Sequence, residues 1–376
     1  MKSEIVRPLK RKKTQEQSDD GEVDLLSMLP DSIIVSILSQ LTIAEAARTC
    51  VLSLRWRYLW TYYFGSLNFD ASLVRNDRTS SLWMYKRDLF KRRVDQVLNS
   101  LQTQTVEALE ICFDLGNDSH VDNWVQFAIQ KKAKKLDLKM DHYAFNTIDN
   151  KHCDVPPSLL KLSSLPSLQV LRLSFVDVSG EDLECLLSSC PSLQTLSVDS
   201  PKRLVSLRVC SHSNIKELEI RLCNDLKTII ISAENLRSFS HFGYYVSINY
   251  EHIPNLKEVC FGGPGLDGMF TDFFHLTIYD HSSSLKVLKL NCCLKTITDL
   301  NRPLIFEPDH AYDCLEEVKL INFAGKNSEV RIMKYIIKNA SNLKKILLGG
   351  TAHYSSSRMR RMLAPFTPPR VEFVIM

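Results

Sequence analysis

Leu168-Gln169-Val170-Leu171-Arg172-Leu173 and Leu193-Gln194-Thr195-Leu196-Ser197-Val198 share one spacing, with apolar residues at the first, fourth and sixth positions. The last two of these anchors are separated by a single residue, the period of a strand with one buried face. The same phrase returns at Val106-Leu109-Ile111, Ala133-Leu136-Leu138, Leu204-Leu207-Val209, Ile215-Leu218-Ile220, Leu226-Ile229-Ile231, Leu256-Val259-Phe261, Leu285-Leu288-Leu290, Leu315-Val318-Leu320 and Leu343-Ile346-Leu348. No single phrase can bury its anchors alone. Stacked in parallel they form a solenoid with a continuous core.

Starting positions step by 25 from Leu168 to Leu193, by 30 from Leu285 to Leu315 and by 28 from Leu315 to Leu343. This is close to the period of leucine-rich repeats, roughly 20 to 29 residues. Helical segments at His120 to Lys132, Ser179 to Ser189 and Ser328 to Ala340 are expected to cover one side. Between Leu193 and Leu226 the step falls to 11, too short for a helix, so the middle is expected to tighten to strand plus turn or to lose regularity. The residue between the last two anchors of each phrase is expected to face inward on the horseshoe. That row includes Glu110, Asp137, Arg172, Arg208, Glu219, Lys289 and Lys319.

Ahead of the repeats, residues 1–21 are charged and poor in apolar groups, the composition of a disordered tail. Lys10 to Lys13 could serve there as a nuclear address. Three short helices are predicted next. Pro30 suits a first helical turn before Ile33, Ile34, Ile37, Leu38 and Leu41, and Thr42-Ile43-Ala44-Glu45 has the form of a capping box. Ser53 can cap a third helix with Trp56, Leu59, Trp60 and Tyr63 on one face. So small a core needs a partner surface. The series Leu29-Pro30-Asp31, Ile37-Leu38, Ala47-Arg48-Thr49-Cys50-Val51-Leu52-Ser53 and Arg55-Trp56-Arg57-Tyr58-Leu59-Trp60 closely resembles an F-box. The segment Cys314-Leu315-Glu316-Glu317-Val318-Lys319-Leu320, the helix with Ile332, Tyr335, Ile336 and Ile337, and the strand-like Val371 to Ile375 resemble the FBD domain that follows leucine-rich repeats in a large plant F-box family. His120-Val121-Asp122-Asn123-Trp124-Val125-Gln126-Phe127 resembles that family too.

The expected fold is therefore α/β: a tail (1–21), an F-box of three helices (22–65), a helical linker (66–105), an irregular leucine-rich-repeat horseshoe (106–311) and a C-terminal FBD cap (312–376). The linker is read as one basic amphipathic helix, Ser81 to Leu101, with Leu82, Tyr85, Leu89, Val94, Val97 and Leu98 facing inward.

Composition narrows the function. The chain has 376 residues, 44% hydrophobic and 24% charged, which excludes wholesale disorder and a coiled-coil rod. No apolar stretch approaches the roughly 18 to 20 residues of a membrane span, and the N-terminus lacks a secretory pattern. The net charge of +4 gives no support to a nucleic-acid binder. Eleven scattered cysteines are expected to be reduced core thiols, Cys112, Cys260 and Cys292 among them, so the protein is expected in the nucleus, the cytoplasm or both.

No catalytic constellation stands out. The tightest His/Cys group, His142 with His152 and Cys153, lacks a second ligand pair, so no metal is expected. Gly263-Pro264-Gly265-Leu266-Asp267-Gly268 matches a dinucleotide-binding fingerprint, but the residues after it do not read as the required helix, so it is expected to be a connecting loop. Neither enzyme activity nor a cofactor is expected. The resemblance implies docking on a Skp-type adaptor, and through it on a cullin and a RING protein, with the repeats holding a protein to be ubiquitinated. Leu29, Pro30, Ile34, Leu38, Leu41, Val51, Trp56 and Trp60 are expected to meet the adaptor, with some of them filling the small helical core as the alternative. Arg172, Arg208, Lys289 and Lys319 are expected to meet an acidic or phosphorylated substrate, with solvation of the sheet or pairing with Glu110, Asp137 and Glu219 as the alternative. A ligand sensor using the inward pocket and an F-box protein acting outside a ligase are the alternatives.

Overall fold

In the computed structural model, the described residues are 25–71, 80–113, 118–140, 153–160, 166–210, 213–263, 284–291, 312–323, 327–350 and 356–375. The N-terminal tail, His142, His152, Cys292, Gly265 and Gly268, for which expectations were given above, lie outside them.

Strands are numbered in chain order. The main sheet is formed by β1 (Ser66–Asp70), β2 (Ala108–Cys112), β3 (Lys135–Lys139), β5 (Val170–Ser174), β7 (Thr195–Asp199), β9 (Glu217–Arg221), β11 (Ser238–Phe242), β13 (Glu258–Gly262), β14 (Val287–Asn291), β15 (Glu317–Phe323), β16 (Lys345–Gly350) and β17 (Glu372–Ile375). These twelve strands lie side by side in that order, and every pair is parallel. The register aligns the anchors across the sheet: Leu109 faces Leu136, Leu136 faces Leu171, and Leu171 faces Leu196. Every anchor of the eleven phrases is buried, with at most 4% of its surface exposed. At about 1.5–3 kcal/mol for each buried aliphatic side chain, this stack is the main source of stability.

The 11-residue steps have a simple cause. Three further strands, β8 (Ser206–Val209), β10 (Thr228–Ser232) and β12 (Ser247–His252), form a separate parallel sheet in the order β12-β10-β8. Successive phrases therefore alternate between two sheets. Their anchors, such as Leu207 with Ile229 and Val198 with Ile220, share one buried cluster. A second strand replaces the helix, because an 11-residue interval reaches across the core only in extended conformation.

Where intervals are longer, helices fill that layer: α5 (Ser80–Ser100), α6 (Ser119–Gln130), α7 (Pro157–Leu160), α8 (Gly180–Ser189), α9 (Asn327–Asn339) and α10 (Ser356–Leu363). Two short strands, β4 (Cys153–Asp154) and β6 (Val176–Asp177), pair at the side. Ser179 and Asp182 form a capping box on α8, and Asp118 caps α6 by accepting from the His120 amide. Helix α5 differs from the expected linker. It is the crossover between β1 and β2, so the sheet begins at Ser66. Val94 and Leu98 are buried as expected, but Tyr85 is exposed. Cys112 and Cys260 stand on the half-exposed face of their strands, one residue from the buried anchors, while Cys185 and Cys210 are exposed. Burial pushes the Cys153 thiol up to about 12 and the Cys190 thiol up to about 11, so both stay protonated.

After several strands the chain turns the same corner through a left-handed residue, Phe175 (φ 59°), Ser200 (56°), Leu222 (47°) and Gly263 (95°), and Asn322 (56°) takes the same conformation at the register shift within β15. The amides of Phe175, Ser200 and Leu222 donate to Asp199, Arg221 and Phe242 carbonyls at 2.9, 2.9 and 2.7 Å, carrying the ladder one residue past the strand. Side chains in this region cost roughly 1–2 kcal/mol each, a cost that the adjoining anchors offset. Gly263 is such a corner, which agrees with the reading of a connecting loop at that residue. A Cβ there would lie 2.6 Å from the Gly243 amide nitrogen.

Strand β11 carries the phrase Leu236-Phe239-His241, in which a histidine takes the third anchor position between Ile220 and Phe261. His241 is 1% exposed, with Nε2 3.1 Å from the Tyr244 carbonyl oxygen. Burial holds its pKa below the ordinary 6.5. The unfolded chain then takes up a proton that the folded chain resists, so stability should be full above about pH 6.5 and fall with acidification. His241→Leu should flatten the melting temperature between pH 5 and 6.5. Gly263→Ala should lower stability by about 2 kcal/mol in denaturant titration, from lost left-handed freedom and the Gly243 clash.

Candidate functional site

Two surfaces are open to partners. The first is built by α1 (Leu25–Met28), α2 (Asp31–Leu38), α3 (Ile43–Arg48) and α4 (Trp56–Leu59). The Thr42–Glu45 capping box forms as read: the Glu45 amide donates to Thr42 Oγ1 at 3.3 Å and the Thr42 amide to Glu45 Oε2 at 2.9 Å. Thr42 hydrogen bonds hold the Glu45 carboxyl below its usual range. Ser53 Oγ accepts from the Trp56 amide at 3.3 Å, and Arg55 joins the start of α2 through Asp31 at 2.6 Å and the Leu29 carbonyl.

Helix α2 is apolar almost all round, and a unit this thin can bury only one of its faces. Ile34 and Leu38 take the inward face, joined by Ala46, Trp56, Leu59 and Tyr63. Left outside are Leu26, Met28, Ile33, Ile37, Leu41, Val51, Leu52, Leu54, Tyr58, Tyr62 and Phe64, with Val51 83% and Leu54 73% exposed. This density of exposed apolar side chains within some forty residues marks an interaction surface. It also sorts the expected contact set. Ile34, Leu38 and Trp56 are buried in the core, and Leu29 and Trp60 are half-buried. Pro30, Leu41 and Val51 are exposed. Ile33, Ile37, Leu52, Leu54 and Tyr58 were absent from the expected set, although the α2 pattern contains more apolar residues than one face can bury.

The helical unit is joined to the sheet at close quarters. The Tyr63 hydroxyl lies 2.9 Å from the Leu41 carbonyl oxygen and 3.0 Å from that of Ser66. The Gln102 amide donates to Thr61 and the Glu107 amide to Phe64. A cleft of about 520 Å3 opens at this joint, lined by Ser39, Gln40, Leu41, Thr42, Ile43, Tyr63, Ser66, Asn68 and Asp70, with no basic side chain in its wall.

The second surface is the half-exposed face of the main sheet. The register puts Asn68, Glu110, Asp137, Arg172, Ser197, Glu219, Ser240, Cys260, Lys289, Lys319, Leu347 and Val374 in one continuous row. Arg172, Lys289 and Lys319 are therefore on this face. Arg208 is not. It lies in β8 of the second sheet, where its row neighbour is Ile230, because phrases in the 11-residue region alternate sides.

The three remaining cations do not converge. Arg172 stands five strands from Lys289, about 24 Å along the sheet. Each also has a carboxylate beside it: Arg172 with Asp137 at 3.8 Å, Lys319 with Glu317 at 3.1 Å, and Lys289 with Glu258. Lys135 joins Glu110 at 2.6 Å, and Arg221 lies 3.6 Å from Asp199 and over the Phe242 ring at 5.1 Å. Burial pushes the Asp137 carboxyl above its ordinary range, against the pull of Lys135 and Arg172. This surface is a lattice of paired charges held on rigid strands. Among the described residues there is no group of three or more His, Cys, Asp or Glu that could hold a metal, and no helix long and apolar enough to cross a membrane.

Comparison with known proteins gives two domain matches. Residues 97–266 match the family model described as "At1g61320/AtMIF1, LRR domain", and residues 308–348 match the FBD model. Among curated relatives, F-box/FBD/LRR-repeat protein At1g13570 of Arabidopsis thaliana is 23% identical, the match covering 93% of this chain and 96% of that protein. FBD-associated F-box protein At5g56370 of the same plant is 27% identical over 89% of this chain and 76% of its own length. F-box/FBD/LRR-repeat protein At1g78750, also from Arabidopsis, is 25% identical over 58% of this chain and 47% of its own. The chain spans less than half the length of the curated relatives matched first.

The lattice makes a measurable claim. Arg172→Glu places a second carboxylate beside Asp137, whose charge is already disfavoured, and should cost about 1 kcal/mol in denaturant titration. Arg208→Glu, on the other sheet, should leave stability unchanged.

Proposed function

For a chain with leucine-rich-repeat and FBD domains whose relatives are Arabidopsis F-box/FBD/LRR-repeat proteins, we propose the role of substrate-recognition subunit in an SCF-type ubiquitin ligase. In this reading the N-terminal helices are an F-box, and the twelve-stranded sheet is the inner wall of a leucine-rich-repeat horseshoe. The observation that carries it is the exposed apolar face around Val51, Leu52, Leu54 and Tyr58, on helices whose inner face joins the core of the sheet. Such a face is costly in water and is stabilised by a complementary surface, here a Skp-type adaptor that joins a cullin and a RING protein.

The chain itself does no covalent chemistry in this reading. It raises the local concentration of substrate lysines near a charged conjugating enzyme. Substrate is expected on the half-exposed sheet face, whose side chains are held in rows by strands rather than loops. Arg172, Lys289 and Lys319 can bind an acidic segment there only by exchanging their present carboxylate partners. Recognition on that face is thus better served by the whole charge lattice than by any cation alone. A ligand sensor is less well supported, since the cleft at the joint lacks the converging cations that reading calls for.

Co-expression with a Skp-type adaptor tests the proposal. Val51→Glu with Leu54→Glu should reduce adaptor capture at least about tenfold, the scale of losing apolar contacts at an interface centre, without lowering the melting temperature of the repeats. Undiminished capture by this folded variant would sink the F-box reading. Capture of adaptor without cullin would point to work outside a ligase.

A further inference from the structure

Charge is distributed very unevenly. Residues 327–375 contain nine Lys or Arg and two Asp or Glu, although the whole chain carries only +4, so the remainder is net acidic. Helix α9 presents Arg331, Lys334 and Lys338 on its outer side, while Ile332, Met333, Ile336 and Ile337 are buried beneath. Helix α10 packs against both α9 and β16 and adds exposed Arg360 and Arg361. Of the two acids in this region, Glu329 is 4% exposed and Glu372 stands on β17 in register with Lys345, on the face turned away from the helices.

Several cations elsewhere stand beside carboxylates. Lys91 meets Asp118, Lys134 meets Glu107, and Lys286 meets Glu316, at 3.2, 3.0 and 3.1 Å. Among the described residues, none of the five outer cations of α9 and α10 makes an ion pair. Lys334 instead lies 3.9 Å from the centroid of Phe366, a ring that is itself 45% exposed.

We propose that the outer face of α9 and α10 is a docking surface for an acidic protein segment carrying an apolar residue. Complementary charge would relieve the mutual repulsion of the five cations, and Phe366 offers the contact for the apolar residue. Size favours a short peptide over a polyanion. Arg331 to Lys338 spans about 10 Å of helix, and the neighbouring helix adds about the same across. A nucleic-acid duplex, with one charge per ~1.7 Å, would extend beyond this patch over a body that is net negative. The inference does not rest on the ligase reading, because it concerns the other end of the sheet from the apolar N-terminal helices.

The test uses the full chain and a fluorescein-labelled peptide of alternating glutamate and aspartate with one central phenylalanine, followed by anisotropy. Binding should weaken with added salt. Arg331→Glu, Lys334→Glu and Arg361→Glu together should weaken it at least about tenfold, whereas reversing the paired Lys134 and Lys286 should change it less than about twofold. If the reversed variant melts earlier, the glutamine substitutions at the same three positions carry the comparison. Equal binding by the patch variant would overturn the proposal, as would equal loss in the paired-cation control. Tighter binding to duplex DNA or to anionic lipid vesicles than to the peptide would also overturn it.

Discussion

Each short strand of this protein has two anchors that must leave water, and no strand can bury them without a second layer supplied by its own repeat. The register shows how tightly this is met. The anchor rows run unbroken across the main sheet, and the only polar intruder among those described, His241, is buried as deeply as the aliphatic residues beside it. The layer opposite can change. Helices fill it at both ends, and the strands β8, β10 and β12 fill it in the middle, where the interval is too short for a helix. Left-handed residues follow four of the described strands of the main sheet, where the chain turns off the strand.

With the anchors committed to the core, the residues between them are free to vary, and the chain uses that freedom differently in its three regions. On the half-exposed face of the sheet, acids and bases are paired and neutralise one another. On the outer side of α9 and α10 the described charged residues are all basic. At the N-terminus the surplus is apolar, because α2 has more hydrophobic faces than its small unit can bury. A paired lattice, a cationic patch and an exposed apolar face are three different kinds of surface on one scaffold.

The joint between the helical unit and the sheet makes these regions one chain rather than a string of modules. Gly65 lies where a Cβ would be 2.2 Å from the Ser39 carbonyl oxygen, and Tyr63 bridges Leu41 and Ser66. Strand β1 follows at once and pairs with β2, so α5 is held as a crossover and does not act as a spacer. The apolar face is thereby held in a fixed position at one end of the sheet.

The anchor spacing and the capping box at Thr42 were legible in the sequence, because each depends on residues within one turn or one strand. The phrase Leu236-Phe239-His241 was hidden by its histidine, whose burial depends on neighbours in β9 and β13. Which side of the core a phrase occupies could not be read locally either: Arg172 and Arg208 sit in identical phrases, yet on different sheets, because an extended 11-residue interval crosses the core. The same holds for Ile34, Leu38 and Trp56, which share their apolar character with Ile33, Ile37 and Val51. Periodicity determined that these residues avoid water, but only the packing of α2 against α4 and the sheet decided which of them the protein buries itself and which it leaves exposed.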